Sequence, residues 1–124
     1  MIHVYNFKKR FEAPIVAGTK RQTIRAHRKD GRVPYPGDRL HGYVDLRSRR
    51  ARKIVEATVT WVRNIAVDWP SGMIFLDGQQ ISSPILMSKF ARADGFADVA
   101  EMELFFRAQY GASFDGLVIQ WGAP

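Results

Sequence analysis

KIVEATVTWVRNIAV, residues 53–67, alternates with a period of two: Val55, Ala57, Val59, Trp61 and Ile65 fall on one side, Glu56, Thr58, Thr60 and Asn64 on the other. That is the pattern of a strand with one face on a core and one in water, because successive side chains in a strand point to opposite faces. Trp61 stands on the apolar side and is predicted to be core. Upstream, residues 39–46 repeat the alternation, with Leu40, Gly42, Val44 and Leu46 on one face, after a turn-rich segment containing Pro34, Pro36 and Gly37-Asp38. The two strands are predicted to pair as a hairpin across an arginine-rich loop.

Working outward, Ile2 to Phe7 reads as a first strand, and Lys8 to Ala17 as a helix with Phe11, Ile15 and Val16 at helical spacing. Gly18 stops that helix, since glycine adopts the left-handed conformation without steric penalty. Arg21 to Ala26 is a short strand and Met73 to Leu76 another. Ser83-Pro84 supplies a cap and a proline at the first position of a helix whose stripe, Leu86, Met87, Phe90 and Ala93, ends at Asp94-Gly95. Asp98 and Glu101 fit a capping box for a helix from Val99 to Tyr110 with Val99, Met102 and Phe106 inward, and Leu117 to Trp121 is a closing strand. Five or six short strands with helices between them predict a small α+β domain on a mixed sheet. The absence of long βαβ units argues against a Rossmann arrangement, and partial closure into a barrel is the natural way to remove sheet edges.

The chain has 124 residues, enough for one hydrophobic core, so residues 1–124 are read as a single domain. No window approaches the roughly 18 apolar residues of a membrane span, and residues 1–10 lack the apolar stretch of a signal peptide, so a cytoplasmic location without membrane association is expected. With no cysteine, disulfides and thiolate chemistry are excluded. The formal charge of +7 is clustered: Lys20, Arg21, Arg25, Arg28, Lys29 and Arg32 form one group, and Arg47, Arg49, Arg50, Arg52 and Lys53 another. Such clusters are either solubilising charge on turns or a surface for nucleotides or RNA.

Residues 10–25, RFEAPIVAGTKRQTIR, place an amine, a hydroxyl and a guanidinium within six positions, at Lys20, Thr23 and Arg25. In a strand Thr23 and Arg25 share one face while Ile24 packs into the core. Hydrolysis of an amide needs a nucleophile, a base for its proton and donors for the oxyanion, and a threonine hydroxyl is inert until a base activates it. Lys20 serves as that base if burial and the neighbouring Arg21 and Arg25 favour its neutral amine. A carboxylate at Asp94, in the last turn of a helix, opposes the macrodipole at a cost of about 0.3–1 kcal/mol, so a compensating partner is expected, and Lys20 is the candidate. Asp94 either orients Lys20 or, with a raised pKa, protonates a leaving amine. Arg25 either holds an acyl oxygen or a phosphate, or pairs with Asp38 or Asp94. Tyr35, Trp69 and Phe96 lie near turns and either stack a base or pack locally. His3, His27 and His41 lack metal-ligand spacing, so no metal or other cofactor is expected.

The run from Ile15 to Arg25, with Pro36-Gly37-Asp38, residues 91–96 and the closing segment 114–121, FDGLVIQW, resembles the ASCH domain family over nearly the whole chain. Its most specific element is glycine-x-lysine-x-x-threonine-isoleucine-arginine at residues 18–25. The resemblance implies a PUA-like β-barrel, a fold associated with RNA binding. Within the family the chain is similar to small bacterial enzymes that hydrolyse N(4)-acetylcytidine to cytidine and acetate with a lysine, a threonine and a glutamate. These positions fall on Lys20, Thr23 and Asp94, the last one methylene shorter. On that resemblance Lys20, Thr23 and Asp94 are expected to be catalytic; from their own chemistry and positions in the chain, Arg25, Arg21, Phe96 and Tyr35 are expected to hold a nucleoside substrate. Two other functions remain open: a ribonuclease acting on single-stranded RNA through the RNA's own 2′-hydroxyl, and a non-catalytic RNA-binding module.

Overall fold

The structure, a computed structural model, describes residues 1–123. It is an α+β domain with a mixed seven-stranded sheet and three α-helices. In chain order the elements are β1 (Ile2–Phe7), α1 (Glu12–Ala17), β2 (Gln22–Ala26), β3 (Arg39–Val44), β4 (Arg52–Asp68), β5 (Met73–Leu76), β6 (Gln79–Gln80), α2 (Pro84–Ala93), α3 (Val99–Tyr110) and β7 (Ser113–Trp121).

The long alternating segment organises the molecule. The 17 residues of β4 pair antiparallel with β3 through Arg52–Thr58, with β7 through Val59–Asp68, and with β5 through Ile65–Asp68. Its register slips between Val59 and Trp61, where the strand leaves one partner for the next. A slip of this kind bends and twists a strand. β1 adds in parallel to the free side of β3, and β2 antiparallel to the free side of β7. Trp61 sits at the slip, only half-buried, with the Arg63 guanidinium 3.3 Å from its ring centre, so the prediction that it is core fails there. Val55, Ala57, Val59, Ile65 and Val67 are buried on the same strand.

The predicted hairpin of β3 and β4 is present, and β2, β3 and β7 have their expected character, although β7 starts four residues earlier than predicted. The predicted first helix is divided into a 3₁₀ turn, Lys9–Phe11, and the short α1, which carries Pro14 in its first turn, where the missing N–H costs nothing. Gly18 ends α1 at φ +80°, as expected. Ser83 caps α2 and Asp98 caps α3, each accepting a backbone N–H. Glu101 does not complete the capping box, for its carboxylate pairs with Arg10.

Seven strands replace the five or six predicted, the short β6 being too polar to recognise, and the sheet does not close into a barrel. β1 and β2 face each other as edges without a backbone ladder among the described residues. Arg25 spans the gap between them. Its guanidinium carbon stands 5.0 Å from the Tyr5 ring centre and 4.8 Å from that of Phe7, and its Nη2 donates to the Asn6 carbonyl at 2.8 Å.

The core lies under this seam. Ile24, Leu40, Val118 and Ile119 are buried with an aromatic group in which Phe11, Phe96, Phe105 and Phe106 meet edge-on or tilted at 5.2–5.9 Å. Each fully buried aliphatic side chain stabilises the fold by about 1.5–3 kcal/mol. No helix among the described residues is long and apolar enough to cross a membrane.

Candidate functional site

A cleft of about 260 Å³ opens at the seam. β1 contributes Asn6 and Phe7, β2 contributes Thr23, Ile24 and Arg25, the end of α2 contributes Asp94, and α3 forms the roof with Phe105, Phe106, Gln109 and Tyr110. Lys20 reaches it from the turn between α1 and β2.

Local folding explains why a lysine is buried here. After Gly18 the chain reverses so tightly that the backbone N–H groups of Thr19 and Lys20 both donate to the Pro14 carbonyl at 3.0 Å. Lys20 then points inward, 2% exposed, with its ammonium nitrogen 4.6 Å from the Phe11 ring centre. Its Nζ donates to the Asp94 carbonyl at 2.5 Å and lies 3.4 Å from Asp94 Oδ1. Asp94, also 2% exposed, is held by α2, whose carboxyl end it caps; its N–H bonds to the Phe90 and Ala91 carbonyls at 3.2 Å. The carboxylate at a helix end thus has the compensating partner its sequence position demands.

Gly95 makes this approach possible. It sits at φ +94°, and a Cβ there would come within 2.9 Å of Lys20 Cδ and 3.0 Å of Phe11 Cδ1. The turn leaving α2 therefore needs glycine for both its backbone and its bareness.

Burial dominates the electrostatics. It pushes the Asp94 carboxyl up to about 6, against the opposing pull of the Lys20 ammonium and the Gln22 amide. It also pushes the Lys20 amine below the ordinary lysine value, with the Asp94 charge opposing. Both shifts have one cause, the cost of taking a charge out of water, and in each group the attraction of the other opposes it.

Thr23 is 4% exposed, and its Oγ1 accepts from Arg25 Nε at 3.0 Å. Lys20 makes no hydrogen bond to Thr23 among the described residues, and its donor goes to Asp94 instead. A guanidinium donating to the hydroxyl oxygen stabilises negative charge on that oxygen and leaves the O–H proton free to be taken. Of the two alternatives for Arg25, the ion pair with Asp38 or Asp94 is not formed among the described residues: its partners are Thr23 and Asn6. Asp38 is used elsewhere, taking His3 Nε2 at 2.8 Å and the Tyr35 N–H at 3.0 Å to hold the glycine-aspartate turn.

The other predicted substrate-binding residues do not meet at the cleft. Phe96 is buried behind it, packed on Phe11, Phe105 and Phe106, because the aromatic cluster claims its ring. Tyr35 is 66% exposed on the Asp38 turn. Arg21, just before β2, borders a separate shallow depression with Gly18, Ala93 and Gln120. Trp69 is buried in the core rather than presented for stacking.

Two contributors were not singled out from the sequence. Gln22 is buried and donates to Asp94 Oδ1 at 3.4 Å while accepting from Gln120 at 3.1 Å. Its signal was available: it shares the face of the core residue Ile24, where a lone amide demands a polar partner. Tyr110, four residues after Phe106 on the same side of α3, lies nearly parallel to that ring and reaches the cleft mouth. No protein-family model, curated protein or solved structure matches the chain.

Proposed function

We propose that this chain is an ASCH-type domain of PUA-like ancestry whose barrel stays open at one seam. In this reading it acts as a metal-independent amidohydrolase on N(4)-acylcytosine nucleosides such as N(4)-acetylcytidine. The observation that carries the reading is the buried Lys20–Asp94 contact in the cleft that also holds Thr23, whose hydroxyl oxygen is held by Arg25. Burial of an amine against an acid has no structural necessity in a core this apolar, and perturbed titratable groups in a cleft mark sites of chemistry. The glycine-x-lysine-x-x-threonine-isoleucine-arginine run at residues 18–25 supports the same assignment.

The proton inventory suits amide cleavage. Neutral Lys20 takes the Thr23 hydroxyl proton as Oγ1 bonds to the acyl carbon, with Arg25 stabilising charge on the attacking oxygen. The bond from the acyl carbon to the exocyclic nitrogen then breaks, and Asp94 in its protonated form, which predominates below about pH 6, gives its proton to that nitrogen, releasing the cytosine amine. Lys20 and Asp94 are now ammonium and carboxylate. Water attacks the threonyl ester, its proton returns to Asp94, and the Lys20 proton returns to the departing Thr23 oxygen. The acid is released and every proton is accounted for.

The test is release of cytidine from N(4)-acetylcytidine by chelator-treated protein, followed by chromatography beside a Lys20→Met variant that keeps the side-chain volume. Turnover in the parent and loss in the variant is the expected result. A folded parent that releases no cytidine from acetyl or longer acyl substrates overturns the reading.

A further inference from the structure

The cleft does not end at Arg25. Asn6, Arg25 and Tyr110 also line a second, broader groove of about 790 Å³ that runs past Arg28 to the turn carrying Arg47. The inner cleft, about 260 Å³, falls below the roughly 300–1,000 Å³ of pockets that enclose a whole small ligand. A nucleoside with its acyl group at Thr23 therefore fills the inner cleft with its base. The ribose lies at the opposite end of the nucleoside from the exocyclic nitrogen, and it passes between Arg25 and Tyr110 into the groove.

The groove is lined with cations. Arg25, Arg28 and Arg47 border it, against a single acid, Asp45. Arg28 is held by Asp30 at 3.2 Å in an exposed pair, which an anionic ligand displaces at little cost. Arg47 has no ion pair among the described residues, and Arg25 makes no hydrogen bond through its Nη1. The turn carrying Arg47 is fixed to the cleft wall, since Asn6 Oδ1 accepts the Leu46 N–H at 3.0 Å while the Asn6 carbonyl accepts Arg25 Nη2. One residue of β1 thus joins the inner cleft to the arginine turn.

We infer that this groove binds a phosphate attached to the ribose, so that the preferred substrate is a phosphorylated N(4)-acylcytidine, whether a mononucleotide or a residue within an RNA strand. The assignment rests on the inner cleft's reading as an acylcytosine site. Guanidinium groups match phosphate oxygens in geometry as well as charge, and cations gathered in a cleft raise the local concentration of anions.

Binding of the reaction product tests this without requiring turnover. Cytidine, cytidine 5′-monophosphate, cytidine 3′-monophosphate and a cytidine-centred trinucleotide are titrated calorimetrically into the protein. At least one monophosphate is expected to bind about tenfold more tightly than cytidine, the size of one or two solvent-screened charged hydrogen bonds. That ratio should shrink toward one in Arg28→Ala/Arg47→Ala and at raised salt, and persist in Arg49→Ala, which alters the same loop outside the groove. Equal affinity for cytidine and both monophosphates, or an advantage that survives the double substitution, overturns the inference. A trinucleotide no tighter than the monophosphate assigns the site to free nucleotides, whereas further tightening assigns it to RNA. Preserved phosphate preference without N(4)-acetylcytidine hydrolysis would leave the groove standing and remove the amidohydrolase reading.

Discussion

Thr23 has two neighbours that determine what its removal does. Thr23→Val keeps the shape and loses the acceptor of Arg25 Nε, so stability should fall by about 1 kcal/mol while turnover falls by about 10³-fold or more. Denaturant unfolding beside single-turnover assays separates the two. Asp94 permits a sharper test. Its carboxyl is raised from 3.8 in the unfolded chain to about 6 in the fold, so between those values the native state binds more protons than the unfolded one. Its contribution to stability is therefore fully present below pH 3.8 and is lost as pH rises through about 6. The stability of the parent relative to Asp94→Asn is expected to decline over that window, and urea titrations every half pH unit would show a flat difference if the carboxyl were not buried. Asp94→Glu, which restores the residue the ASCH resemblance leads one to expect, should destabilise by about 1–3 kcal/mol, because an extra methylene must enter a filled site. The lysine and the acid were legible in the sequence, one from its motif and the other from an unfavourable place on a helix. Phe96 and Tyr35 do not line the cleft, because proximity to a turn says nothing of which way a ring is drawn, and the aromatic cluster claims Phe96.

Among the elements, the turn after α2 carries the site more than any strand does. Gly95→Ala would place a methyl group within 2.9 Å of Lys20 Cδ in an unfavourable backbone conformation. A stability loss of about 1–3 kcal/mol and a marked fall in turnover should appear together. The α3 cap behaves differently: Asp98→Ala, which removes the acceptor for the Glu101 N–H, is expected to cost about 1 kcal/mol in thermal unfolding with turnover retained. Periodicity identified β4 well because one face is buried along most of its length. It failed at Trp61 because the register slip is a property of two partners, β3 and β7, and leaves no trace in β4 alone. The first helix was overextended for a related reason: apolar spacing over residues 8–17 fits a 3₁₀ turn followed by an α-turn as well as one continuous helix.

Across the whole molecule, the α+β class and the order of the main elements were readable from pattern, while closure was not, since alternation within a strand does not tell whether the outermost strands of a sheet meet. Arg25→Met should therefore do more than remove a charge. It strips the Asn6 carbonyl and Thr23 of their donor and the rings of Tyr5 and Phe7 of their cation. Amide exchange is expected to quicken along β1 and β2 specifically, whereas protection confined to its parental level there would assign the arginine a purely chemical role. A gap spanned by one side chain has a further consequence for traffic. The walls on either side of the cleft are edges with no ladder between them among the described residues, so they can part by releasing a guanidinium while the strand ladders stay paired. The same arginine that steadies the threonine is thus a tie between the two edges of the cleft.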